Sequence, residues 1–255
     1  MLGWKIFVHS VRMVLGNFRQ ALQIGLVPVA LWFGGAIVVF VVASILQRMM
    51  SPGGPENDLF SSGNATIFLV LIVIWIGMLI TACWIVVEWH RFVLLAEYPT
   101  GWIPQFRVDR VLSYVGHGFL LGLAAVILLI PVAIASGIAS SMSQSSGIVV
   151  LGLGALGVIV CLYRLVVLLP AAAIGQPLTF KQAWDATRGA EGAIFVLLIV
   201  SGLIQGAVNL ITAPLMGVSI VGALVVFAVT LILYLVNVSI LTTMYGVFVE
   251  KRELS

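Results

Sequence analysis

The sequence predicts an all-α, polytopic membrane protein, and three observations carry that prediction. Of 255 residues, 62% are hydrophobic and 8% charged, far from the balance of a water-soluble domain. The apolar residues are gathered into six runs, each long enough for the roughly 20 helical residues that cross a hydrocarbon layer about 30 Å thick. Threading those runs as hairpins puts eleven of the twelve Lys and Arg residues on one side. One integral membrane domain over residues 1–255 accounts for all three.

The first 23 residues form an amphipathic helix before any crossing. Lys5, His9, Arg12, Gly16, Arg19 and Gln23 follow the alternating four- and three-residue steps that keep side chains on one helical face. Ile6, Val8, Val11, Met13, Leu15, Phe18 and Leu22 cover most of the remainder. Such a helix is expected to lie along the cytoplasmic interface. The basic residues interrupt it too often for a cleavable signal sequence, so it is expected to stay attached.

The crossings are predicted at about 24–47, 67–90, 114–139, 147–170, 193–213 and 217–248. Pro, Gly, Asn and Ser in "QRMMSPGGPENDLFSSGNAT" break the chain between the first pair, and "SSMSQSSG" and "TAPLMG" close the other two hairpins. Pro131 is expected to kink crossing three, and Pro170 to end crossing four. Trp75, in the middle of crossing two, is expected to pack inward while other aromatic residues mark the bilayer borders.

Orientation follows from charge. Lys5, Arg12, Arg19, Arg91, Arg107, Arg110, Arg164, Lys181, Arg188, Lys251 and Arg252 share one side, and Arg48 stands on the other. The positive-inside tendency makes the first side cytoplasmic, with both termini there, in a bacterial inner membrane.

Crossings three and five have preludes of their own. Thr179 and Gln182 have the spacing of a capping box, opening a short helix with Lys181, Asp185 and Arg188 on its polar side. A weaker counterpart is "PQFRVDRVLSYVGHG". The order predicts three hairpins, each preceded by a cytoplasmic interfacial helix, with approximate repeats at 1–97, 98–175 and 176–255. "WHRFVLLAE" beside "LYRLVVLLPAA" is the clearest echo, placing Arg91 and Arg164 at corresponding helix ends.

Polar residues inside the runs supply the candidate sites. Arg91 and Arg164 can anchor helix ends at headgroups, or join Lys181 and Arg188 in contacts to lipid headgroups or a partner. Glu88 lies three residues before Arg91, so the two are expected to pair. Ser201, Gln205 and Asn209 recur every four residues on one face of crossing five, a polar seam with Tyr234 and Asn237 of crossing six as candidate partners. His9, His90 and His117 lack any metal-ligand spacing, Cys83 and Cys161 have no CxxC partner, and there is no GxSxG elbow or P-loop. No cofactor, metal or catalytic residue is expected, and the dispersed basic residues argue against nucleic acid.

The stretch "YRLVVLLPAAAIGQPLTFKQAWDATRG", through Arg164, Pro170, Gly175, Thr179, Ala183, Trp184, Arg188 and Gly189, resembles the bacterial YciC-like membrane proteins. It also resembles the membrane domain attached to some glycerophosphodiester phosphodiesterases. The resemblance implies a six-span architecture and a regulatory or envelope-associated role. Phosphodiesterase chemistry is not implied, because the accompanying soluble catalytic domain is missing from this sequence. The expected function is therefore a noncatalytic scaffold, assembly factor or accessory subunit of a larger membrane complex, in contact with membrane lipids and able to organise them. The alternative is transport of a lipid, small amphiphile or ion along the polar seam.

Overall fold

The structure, a computed structural model, describes residues 1–50, 65–215 and 219–254. The described residues contain helices and no strand: α1 (Leu2–Gly16), α2 (Phe18–Met50), α3 (Ala65–Leu95), α4 (Val108–Met142), α5 (Gln144–Leu165), α6 (Leu168–Ile174), α7 (Phe180–Ala186), α8 (Glu191–Thr212) and α9 (Ile220–Phe248). Six of the helical segments are long and apolar enough to cross a membrane, with α5 and α6 together forming the fourth. Most of the connection between the first two crossings, and residues 216–218 of the last turn, lie outside the described residues.

Two neighbouring pairs pack as hairpins, α2 on α3 and α4 on α5. The second pair turns on a single residue, where Ser143 leaves the helical region and its Oγ accepts a hydrogen bond from the Ser146 amide at 3.1 Å. Gly147 and Gly154 then let the two helices close on Ser140 and Val132. The last pair is different: α8 and α9 are splayed, and α1 lies between them in contact with both.

That wedge corrects the expectation for the N-terminal helix. α1 is amphipathic, with Lys5, Arg12, Trp4 and Leu15 exposed, but its other face is core. Gly3, Ile6, Phe7, Ser10 and Val14 are buried at helical spacing. Ser10 Oγ shares a 3.0 Å hydrogen bond with Thr243 Oγ1 of α9. Gly3 sits so close to α8 that a Cβ there would run into the carbonyl oxygen of Ala193.

The core occupies only the end of the bundle where the basic residues gather. Trp89 and His90 of α3, Leu168 and Ala171 of α6, Ala183 of α7, Ile194 of α8 and Met244 of α9 are buried there. Over their most apolar stretches the spans bury little, from none of that of α4 to 33% of that of α9. Trp75 follows that trend and is 60% exposed, not packed inward.

Two further expectations change. The chain before crossing three is a non-helical strap, residues 96–107, and α4 begins only at Val108. Pro104 explains part of this, since proline withholds a helical amide and pushes its predecessor into extended backbone. Pro170 does not end crossing four. The helix breaks earlier, at 166–167, and Pro170 falls in the first turn of α6, where a missing N–H costs little. The redirection comes at Gly175, whose φ of 82° is left-handed and whose missing Cβ leaves room for the Arg110 guanidinium.

Candidate functional site

Arg164 stands on the last turn of α5 with its side chain 8% exposed. Its NH1 donates to Glu191 Oε1 at 2.7 Å, NH2 to the Trp184 carbonyl at 2.7 Å, and Nε to Thr187 Oγ1 at 3.3 Å. The guanidinium carbon lies 3.7 Å from the Trp184 ring centre, a cation–π contact. Arg164 thus ties α5 to α7 and to the start of α8. The other end of α7 is fixed by Thr179 and Gln182, which form the reciprocal capping box.

Arg91 makes the equivalent clamp at the end of α3. It donates to both carboxylate oxygens of Glu97, at 3.0 and 2.6 Å, and to the Ala173 carbonyl of α6 at 3.3 Å. Arg107 reaches the same carboxylate from the far end of the strap, at 2.5 Å, and donates to Gln105 Oε1 at 2.8 Å. Glu97 is therefore the pin that closes the strap. The chain turns into it through Ala96, whose φ of 52° is left-handed and costs about 1–2 kcal/mol for a residue with a Cβ. Partial burial raises the Glu97 pKa, but hydrogen bonds and charge from Arg91 and Arg107 outweigh it and hold the carboxyl below its ordinary value.

The expected Glu88–Arg91 pair does not form. Arg91 turns to Glu97, and the nearest cation to Glu88 is Arg107, at 3.9 Å. Glu88 Oε1 is buried without a hydrogen-bond partner among the described residues. Glu88, Glu97, Thr100, Gln105 and Arg107 line a pocket of about 250 Å³ under the strap.

Lys181 on α7 and Arg188 just beyond its end are exposed, Arg188 in a 3.0 Å pair with Asp185. Lys5, Arg12 and Arg19 are exposed along α1 and the start of α2 at seven-residue intervals. The four proposed contact residues are therefore not one cluster. Arg91 and Arg164 are engaged inside the chain, whereas Lys181 and Arg188 face outward.

The polar seam is divided in the same way. Gln205 and Asn209 are exposed on α8 and bonded to each other, Nε2 to Oδ1, at 3.2 Å. Ser201 Oγ, one turn earlier, is buried without a hydrogen-bond partner among the described residues. Gly202 and Gly206 lie beside them, and a Cβ on either would meet nothing within 4 Å. On the other helix, Tyr234 donates to the Ala82 carbonyl of α3 at 3.4 Å, and Asn237 to its own helix at Leu233, 3.0 Å away. The structure brings Gln205 and Asn209 together and leaves Tyr234 and Asn237 with other partners.

Sequence reasoning missed the hydroxyl ladder that locks the node. Ser239, Thr242 and Thr243 of α9 meet Trp89 Nε1 at 2.8 Å, His90 Nδ1 at 2.8 Å and Ser10 Oγ at 3.0 Å. The signal was available, since three hydroxyls at i, i+3 and i+4 near the end of an apolar run require buried partners. Among the described residues no group of three His, Cys, Asp or Glu side chains could hold a metal ion. No protein-family model, curated protein or solved structure matches the chain.

Proposed function

We propose that this chain is a noncatalytic accessory or scaffold subunit of a larger membrane complex, with its basic end and both termini in the cytoplasm of a bacterium. The observation that carries the reading is the outward face of α8. Two amides and two glycines stand exposed within the fifth crossing, and among the described residues a Cβ on either glycine would meet nothing within 4 Å. In lipid, exposed amides favour a polar partner, and adjacent glycines let a second helix approach closely enough to supply one. The basic stripe on α1 and the Phe180, Lys181 and Trp184 surface of α7 suit anionic headgroups, so lipid ordering belongs to the same proposal. The YciC-like resemblance of residues 163–189 supports architecture without phosphodiesterase chemistry.

A photo-cross-linking residue at Gly206 tests the reading in cells. A discrete protein adduct is expected, absent with the probe at Ile127 of α4 and lost in the Gln205→Leu, Asn209→Leu variant. Lipid adducts alone, or purification as a free monomer, would count against a scaffold. Substrate flux in vesicles that the same double variant abolishes would favour the transport reading instead.

A further inference from the structure

We infer that the cleft between α2 and α3 binds a phospholipid through a primary-ammonium headgroup. An apolar trough of about 410 Å³ runs between Leu31 and Val39 on one wall and Val73 and Ile80 on the other, within the range of ligand sites. Gly35 helps hold it open, since a Cβ there would meet nothing within 4 Å. The polar pocket under the strap is a separate cavity that lies beyond the trough along the same two helices. Ile24 precedes Pro28 by four residues and Glu88 follows Trp84 by four, so each wall carries on by about one helical turn, roughly 6 Å, toward the basic end. At the join, Trp84 Nε1 donates to the Gln105 carbonyl at 3.1 Å, and its ring meets Phe106 edge-on at 5.2 Å. An apolar trough fit for an acyl chain thus stands about one helical turn from a polar pocket, with Trp84 at the border.

Hydrogen-bonding capacity selects the headgroup. Arg91 and Arg107 both donate to Glu97, and Arg107 also to Gln105, which leaves part of each guanidinium's five N–H groups for the phosphate that any phospholipid brings. What remains unmet is acceptor capacity: Glu88 Oε1, in a side chain only 14% exposed, has no hydrogen-bond donor among the described residues, and Arg107 stands at 3.9 Å, too far to supply one. A buried carboxylate oxygen without a donor is costly, and a primary ammonium brings three N–H groups with a compensating charge. A quaternary ammonium brings none. The site lies apart from the α8 face, so its test and the scaffold test succeed or fail independently.

Native mass spectrometry of the purified full chain with phosphatides of matched acyl chains provides the test. The ethanolamine headgroup is expected to be retained at least tenfold more tightly than choline or glycerol headgroups. Glu88→Gln is expected to erase that preference, and Gly35→Leu, which fills the trough from its open side, to lower retention of all three. Brominated acyl chains should quench a single tryptophan left at position 32. Equal retention of ethanolamine and choline headgroups, a preference for glycerol, or wild-type binding by Glu88→Gln would overturn the inference. Should Glu88→Gln fail to fold, unchanged retention by Gly35→Leu would overturn it instead.

Discussion

Arg164 and Glu97 do comparable work with opposite charge, each serving as the point on which several backbone segments close. Arg164 holds a carboxylate, a carbonyl, a hydroxyl and an indole at once, and only a planar fork satisfies that set. Arg164→Lys keeps the charge and is expected to cost about 1–3 kcal/mol, read as a lower melting temperature, through lost fork bonds and stacking. Arg164→Met should cost more, because Glu191 then loses its cation. A lysine variant that melts with wild type would mean the fork geometry is unimportant. For Glu97 the consequence is pH dependence. Its pKa is depressed on folding, so its contribution is full above the ordinary carboxylate value, about 4.3, and is lost as pH falls through the lower folded value. Protection factors across the strap, with the intrinsic pH dependence of amide exchange divided out, should be flat between pH 6 and 8 and fall in acid, with Glu97→Gln removing the extra step. At this scale the sequence located Arg91 and Arg164 as helix-end anchors but not their partners. Glu88 was nearer to Arg91 along the helix, and only the folded strap presents Glu97 with both carboxylate oxygens aligned to the guanidinium.

Among the elements, α1 shows where a periodic pattern stops being informative. A repeat of 3.6 residues identifies which face of a helix is apolar, yet lipid and protein are equally apolar covers for it. Gly3 carried the distinguishing information, because a glycine in the middle of that face permits contact with a neighbouring backbone. Gly3→Leu is expected to force α1 away from Ala193 and destabilise the fold by about 1–3 kcal/mol, the usual range for overpacking. Gly16→Leu, at a position where an added Cβ would meet nothing within 4 Å, should be neutral or slightly stabilising. Equal melting temperatures for the two variants would show that α1 is not wedged. The capping box of α7 was fully legible, since Thr179 and Gln182 are three residues apart and need nothing distant. The strap was not: the helical spacing of "FRVDRVL" holds only from Val108, and Pro104 and the pull of Glu97 on Arg107 keep the residues before it extended.

The whole molecule divides into a packed node and bare spans, and this division joins its stability to its proposed role. Six crossings were countable from composition and run length alone. Their failure to cover one another was not, because the Leu- and Val-rich surface that packs on protein has the same composition as the surface that meets lipid. Stability should follow the division. Ile194→Ala, in the node, is expected to cost about 2–4 kcal/mol, whereas Leu210→Ala, 79% exposed on the same helix, should change the melt by less than about 0.5 kcal/mol. The decisive comparison lies between those two positions, on the α8 face itself. Among the described residues the side chains of Gln205 and Asn209 bond only each other, so replacing both with Leu is expected to remove nothing that holds the isolated chain together. The double variant should melt at or above the wild-type temperature in detergent, while its Gly206 cross-link in membranes is lost. A double variant that melts well below wild type would place these amides inside the fold of the single chain. The face would then be part of the chain's own packing, and the scaffold reading would lose its foundation.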